Sequence, residues 1–314
     1  MALTNNQQSL IKAVAENDLL KAKASAKACL AEDTTQKNRY FVTRYKQILD
    51  NEPALLEVPL NLKGKLIAED VSETFKESRY YLSPSEAELF REIRKMKTVS
   101  ERLMELGVSY INATMLSGEP GVGKTEFGRY TAFKLGSLPF IYVNFSQLID
   151  SLMGKTSSNL NLIFNYVKAT PRCVFMLDEI DCIAMKRGHS TSGDNGPDGE
   201  LSRTVVTLMQ EFDSLPNGII VIAATNRIDK IDPAFLSRFS ITHEIKAFDE
   251  EGSMAMVNLF LEDIGYTLPQ ERIRSIIKEE RVQRKIMKAV IREIGDQIYN
   301  ELYQTAEAPI ERRY

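Results

Sequence analysis

A chain of 314 residues has room for one full α/β domain and one or two smaller pieces. With 43% hydrophobic and 26% charged residues it reads as globular, and a net charge of −3 gives no global reason to expect nucleic acid or an acidic membrane as partner. Three cysteines (Cys29, Cys173, Cys182) and two histidines form no C-x-x-C pair or His/Cys cluster, which argues against a structural zinc site or a disulfide framework and for a reducing compartment.

No charged start followed by an apolar stretch opens the chain, and nowhere do 18 uncharged apolar residues run together, so a cytoplasmic protein without a membrane span is expected. Residues 5–31 carry apolar residues at helical spacing (Leu10, Ile11, Val14, Leu19, Leu20, Ala24, Leu30), and a second helical stretch runs from about Thr35 to Leu49. Together they predict a helical hairpin over 1–50, serving either as a packing appendage or as a docking module. Residues 51–84, with short apolar runs around Pro53, Pro59 and Gly64, read as a connector holding one or two strands. Ser83-Pro84-Ser85-Glu86 makes a helix start and Gly107 a stop, predicting a long helix over 85–106.

The apolar strand 112–117 then runs into Gly118-Glu119-Pro120-Gly121-Val122-Gly123-Lys124-Thr125, which fits G-x-x-x-x-G-K-[ST]. Glycines at 118, 121 and 123 let successive backbone N–H groups aim at phosphate oxygens where a Cβ would obstruct the approach. Lys124 is placed to reach β- and γ-phosphates, Thr125 offers a hydroxyl to Mg²⁺, and the helix that follows adds the positive end of its dipole. Tyr80, Tyr81 and Tyr110 are near enough in sequence to help form an adenine pocket, although ordinary core or surface aromatics are the plainer reading.

Strand and helix then alternate: helix 126–135, strand 139–144, helix 160–169, strand 173–177. This predicts a parallel sheet with helices on both faces. Cys173–Leu177 is apolar throughout, as for a strand buried on both sides, and it ends in Asp178-Glu179-Ile180-Asp181. Asp178 comes 54 residues after Lys124, room for two β–α units that bring its strand beside the phosphate loop. There Asp178 can hold Mg²⁺ through its water shell opposite Thr125, and Glu179 can polarise a water for in-line attack on a γ-phosphate. Residues 186–199 read as a mobile surface loop. A helix over 200–212 leads to the buried strand 218–224, and Asn226, 48 residues past Asp178, is placed to reach the γ-phosphate or the attacking water. Asp232–Phe239 opens with a helix start and ends on Arg238 before a strand at 241–245. From about Asp249 the chain is helical, over 250–264, 269–279 and 281–304.

In this order and spacing, Gly118–Thr125, Leu177–Asp181, Ala223–Arg227 and Asp232–Phe239 resemble the Walker A, Walker B, sensor 1 and arginine-finger segments of AAA+ ATPases, on the side of the classical AAA branch that includes spastin and katanin. The likeness covers roughly residues 105–265. It implies a P-loop NTPase α/β domain over 85–248, a small α-helical lid over 249–305 and a tail over 306–314, preceded by the mainly helical N-terminal region. It also implies ATP and Mg²⁺, a homo-oligomeric ring, a hexamer in the main reading, and Arg238 acting in trans on a neighbour's nucleotide. Ser151–Gly154 aligns with the first pore loop, where unfoldases often place an aromatic and this chain has Leu152 and Met153. Residues 186–199 align with the second. Some relatives carry two successive arginines at the finger, whereas here Ser237 precedes Arg238. Arg281 or Arg284 aligns with sensor 2, with a solvated helix face as the plainer alternative. The function implied is an ATP-hydrolysing motor that remodels a client protein or complex, with the N-terminal hairpin as contact. The alternative is an ATP-switched DNA-handling protein. Nucleic acid is not expected, because residues 1–110 hold 17 Lys/Arg against 16 Asp/Glu and no helix-turn-helix.

Overall fold

The computed structural model describes all residues except 1–2, 16–18, 34, 52–57, 109, 151–155, 171, 185–196 and 307–314. The chain forms two compact units, residues 1–57 and 58–314. In the first, α1 (Asn5–Ala15) packs on α2 (Leu19–Glu32) and α2 on α3 (Arg39–Asn51). The stretch read as one helix over 5–31 is therefore two, and the expected hairpin is an array of three helices. Residues 16–18, between α1 and α2, lie outside the described residues. A second break has a visible cause, since Asp33 accepts from the Thr35 N–H at 3.0 Å, the Thr35 hydroxyl at 2.6 Å and Asn38 Nδ2 at 2.6 Å.

The larger unit runs β1 (Ile67–Glu69), α4 (Val71–Thr74), α5 (Pro84–Glu105), β2 (Asn112–Ser117), α6 (Lys124–Lys134), β3 (Phe140–Asn144), α7 (Phe145–Asp150), α8 (Thr156–Lys168), β4 (Val174–Asp178), α9 (Pro197–Asp213), β5 (Ile220–Thr225), α10 (Pro233–Leu236) and β6 (Ile241–Glu244). Three further helices follow, α11 (Glu250–Ile264), α12 (Gln270–Glu279) and α13 (Gln283–Ala306). The start of α5 is fixed by a capping box: Glu86 accepts from the Ser83 N–H at 2.9 Å and the Ser83 hydroxyl at 2.7 Å.

The six strands order as β1-β3-β4-β5-β2-β6, all pairs parallel except antiparallel β1–β3. Alternate side chains divide between two apolar layers. Ile141, Phe175, Leu177 and Val221 face one with Phe164 and Phe212, while Phe140, Val174, Met176 and Ile222 face the other with Phe127 and Phe90. That two-sided burial is why these strands read as continuous apolar runs. Helices α11 to α13 close over a separate core that includes Val257, Ile273, Ile276 and Val290.

β5 lies between β4 and β2, paired to β4 through Leu177↔Ala223 and to β2 through Ser117↔Thr225, yet the end of β4 reaches the glycine loop as the spacing predicts, with Asp178 2.8 Å from Thr125. Residue spacing bounds how many elements intervene, but not which strand slots between. The carboxyl ends of β2, β5 and β4 still form one edge, carrying the glycine loop, Asn226 and Asp178 respectively. Leu152, Met153 and residues 186–196, aligned with pore loops, lie outside the described residues.

Candidate nucleotide site

β2 is buried along its whole length and delivers the chain into the loop at Gly118. Gly118, Gly121 and Gly123 have φ of +147°, +91° and +102°, a region that L side chains rarely enter. Gly118 is also the tightest point: a Cβ there would lie 2.2 Å from the Ile245 carbonyl oxygen. Ile245 in turn donates its N–H to Ser117 O at 2.8 Å, so the chain leaving β6 braces the loop. The helix α6 starts directly at Lys124 with no side-chain cap, so its first-turn N–H groups lack an intrahelical partner, as suits an anion such as phosphate.

The Lys124 ammonium ties this loop to the next strand end. Nζ donates to Gly118 O at 2.7 Å, Glu119 O at 3.0 Å and Asn226 Oδ1 at 2.8 Å. Burial pushes the Lys124 pKa down, against the attraction of Asp178 and Asp181, and the positive charge of Arg284 acts in the same direction as burial.

At the β4 edge, Thr125 Oγ1 donates to Asp178 Oδ2 at 2.8 Å. Tyr142 Oη donates to the same oxygen at 3.2 Å, and the Glu179 N–H donates to Asp178 Oδ1 at 2.9 Å. Glu179 itself sits at φ +54°, a left-handed conformation in a non-glycine residue, the kind of local strain that collects at functional sites. Asp181 Oδ1 accepts from the Thr225 hydroxyl at 2.7 Å, locking the ends of β4 and β5 together. A hydroxyl and a carboxylate side by side are hard oxygen donors that fit Mg²⁺, an ion that takes one or two protein ligands and completes its shell with phosphate and water.

A cavity of about 690 Å³ opens from this edge. Pro120 to Thr125, Asp178, Glu179 and Asn226 line one part of it; Tyr80, Tyr81, Phe248 and Met287 give another part an aromatic and thioether wall. Of the three tyrosines considered for a base pocket, Tyr80 and Tyr81 belong to this wall. Tyr110 is spent elsewhere, donating its hydroxyl to Ser240 Oγ at 3.0 Å. Arg284 also lines the cavity, and its backbone N–H donates to Gly121 O at 3.1 Å; Arg281 is not among the wall residues. Neither is Arg238, which pairs with Asp213. The fold thus brings Lys124, Thr125, Asp178, Glu179 and Asn226 to one place, and leaves Arg238 outside it. Tyr142 and Phe248 went unnoticed in the sequence, where an isolated aromatic carries no motif.

Residues 114–247 match the family model described as ATPase family associated with various cellular activities (AAA). A proteasome-activating nucleotidase of Methanococcus maripaludis is 32% identical over 219 residues, covering 66% of this chain and 52% of that protein. The ATP-dependent zinc metalloprotease FtsH 1 of Thermoanaerobacter sp. is 34% identical over 153 residues, 48% of this chain and 24% of that protein. FtsH 3 of Synechocystis sp. is 31% identical over 176 residues, 55% of this chain and 28% of that protein. The chain therefore spans about half the length of the nucleotidase and about a quarter of the metalloproteases it matches.

Proposed function

From the AAA ATPase domain that this chain carries, we propose an ATP-hydrolysing motor that assembles as a homo-oligomeric ring, a hexamer in this reading, and remodels a client protein or complex. The observation that carries it is the pair of contacts Lys124–Asn226 and Thr125–Asp178, which draw three separate sequence segments onto one cavity beside a backbone cradle.

In this reading the loop from Gly118 to Thr125 wraps the phosphates, and Lys124 exchanges its carbonyl partners for β- and γ-phosphate oxygens. Thr125 and Asp178 would hold Mg²⁺, which when bound offsets charge on those oxygens. Glu179 takes a proton from the attacking water, and Asn226 orients that water or the γ-phosphate. Arg238 of a neighbouring copy stabilises the charge that builds on the transferred group.

The three matched proteins are named for activating a proteasome or as proteases, which supports a protein client over nucleic acid. The N-terminal helices α1 to α3 are the proposed contact. The protease part of the FtsH name is not extended to this chain: its two histidines, His189 and His243, are too far apart for H-E-x-x-H. Three cysteines, Cys29, Cys173 and Cys182, whose spacing forms no disulfide framework, fit a reducing compartment such as the cytoplasm, and no described helix is long and apolar enough to cross a membrane.

The test is Glu179→Gln in the full chain. It should keep ATP and Mg²⁺ binding while hydrolysis falls by roughly two orders of magnitude or more, the scale of a lost general base. Turnover at the wild-type rate would remove Glu179 from the mechanism. Sedimentation of this ATP-locked variant should show a ring-sized species, and a monomer under saturating ATP would overturn the assembly.

A further inference from the structure

We propose that Tyr142 is a positioning residue for Asp178, holding that carboxylate in the orientation it needs to receive Mg²⁺. The inference rests on the nucleotide-site reading above and assigns it a residue that no motif contains.

β3 and β4 run parallel with Asn144 opposite Asp178 and Tyr142 opposite Met176. Tyr142 therefore starts two residues behind the strand end, on the face shared by Phe140, Met176 and the α6 residue Phe127. A short side chain at that position would stop inside the sheet. The tyrosine ring spans the two-residue gap and sets its hydroxyl 3.2 Å from Asp178 Oδ2.

That oxygen also accepts from Thr125 at 2.8 Å, and Oδ1 accepts from the Glu179 N–H at 2.9 Å. Donors from β3, from α6 and from the turn after β4 thus fix the plane of one carboxylate. The Tyr142 hydroxyl is itself oriented, because Asn144 Nδ2 donates to it at 3.3 Å and leaves its proton for Asp178.

The reason for two hydroxyl donors on one oxygen lies in the second duty of Thr125. Its hydroxyl is the side-chain oxygen of the glycine loop placed to meet the metal. Tyr142 has no such duty and keeps Asp178 aligned whichever way Thr125 turns. Partners behind a metal-side ligand typically contribute 10- to 100-fold to metal affinity.

The experiment measures equilibrium binding of an ADP analogue with a fluorescent ribose label to the full chain, first in EDTA and then across a Mg²⁺ titration. Tyr142→Phe keeps the ring that packs near Phe140 and removes one oxygen. Its metal-free affinity should stay within about twofold of wild type, and its half-saturating Mg²⁺ concentration should rise about tenfold. Thr125→Val is the reference for a direct contact and should lose the Mg²⁺ response. An unchanged Mg²⁺ midpoint in Tyr142→Phe overturns the inference, as does a loss of metal-free affinity equal to the loss with Mg²⁺, which would mark a packing role. Wild-type protein that binds nucleotide with no dependence on Mg²⁺ would sink the metal-site reading itself, and is told apart because it needs no variant.

Discussion

Arg238 grips Asp213 through both arms of its guanidinium, with Nε and Nη2 each 2.7 Å from a carboxylate oxygen, while Nη1 donates to Ala234 O at 2.6 Å. An arginine proposed to serve a neighbouring copy is thus held on its own chain, just past the end of α10 and against the last residue of α9. The pair is partly exposed and Asp213 is half in solvent, so it contributes little to folding, about 1 kcal/mol or less. Arg238→Ala should therefore keep its melting temperature within a few degrees and keep ATP affinity, while hydrolysis drops by roughly 10³ or more. Mixing it with Lys124→Ala, which has a disabled site and an intact finger, should restore part of the activity. Mixed assemblies that form and stay inactive would remove the trans assignment.

Lys124 should give nucleotide binding an alkaline limit. Burial lowers its pKa in the free protein, and bound phosphate favours the protonated form, so binding raises that pKa again. The sign follows: affinity is full below the free-protein pKa and falls as pH rises through it, and binding within that window takes up protons. The falling limb should lie below the ordinary lysine range near 10.4, and calorimetry in buffers of different ionisation enthalpy should register the uptake. Lys124→Arg, which cannot lose its charge in that range, should abolish the limb.

Much of the sheet was legible because strands buried on both faces are apolar along their whole length, as in Cys173–Leu177. The phosphate loop was legible for a different reason: its function lies in consecutive backbone groups, so consecutive residues encode it. Strand order was not, since nothing local in β4 records that β5 separates it from β2. Tyr142 was hidden for the same reason, as its meaning depends on the register Asn144↔Asp178 across two strands. Tyr81 and Tyr110 both read as candidates for a base pocket, and only the fold sends one to the cavity wall and the other to Ser240. The role proposed for Arg238 reaches beyond a single chain altogether.

Two glycines separate loop geometry from helix packing. Gly118→Ala would place a Cβ 2.2 Å from the backbone oxygen of Ile245, at φ +147°, with no flexible neighbour to yield. Nucleotide binding should be lost together with stability. Gly128, inside α6, lies against the sheet, and a Cβ there would meet Phe140 Cε2 at 3.1 Å and Met176 Sδ at 3.2 Å. Helix propensity favours alanine at this position by about 0.5–1 kcal/mol, but overpacking costs about 1–3 kcal/mol. Gly128→Ala should thus lose up to about 2.5 kcal/mol in urea unfolding, the difference of those two effects, and still bind nucleotide.

Arg284, and not Arg281, should be the arginine of the helical region that senses the γ-phosphate. Arg284 lines the cavity, its charge lowers the Lys124 pKa, and its backbone N–H donates to Gly121 O at 3.1 Å. That backbone bond survives truncation of the side chain, so Arg284→Ala removes the guanidinium without releasing α13 from the glycine loop. A hydrogen bond to a charged group contributes about 1.5–3 kcal/mol, so ATP affinity should fall about 10- to 100-fold while ADP affinity changes little. Arg281→Ala should bind both nucleotides as wild type does. The alkaline limb of Lys124 supplies a second readout: with the Arg284 charge gone, it should move to higher pH. Equal ATP and ADP losses in Arg284→Ala, with the limb unmoved, would show that the side chain supports the cavity wall and does not meet the γ-phosphate.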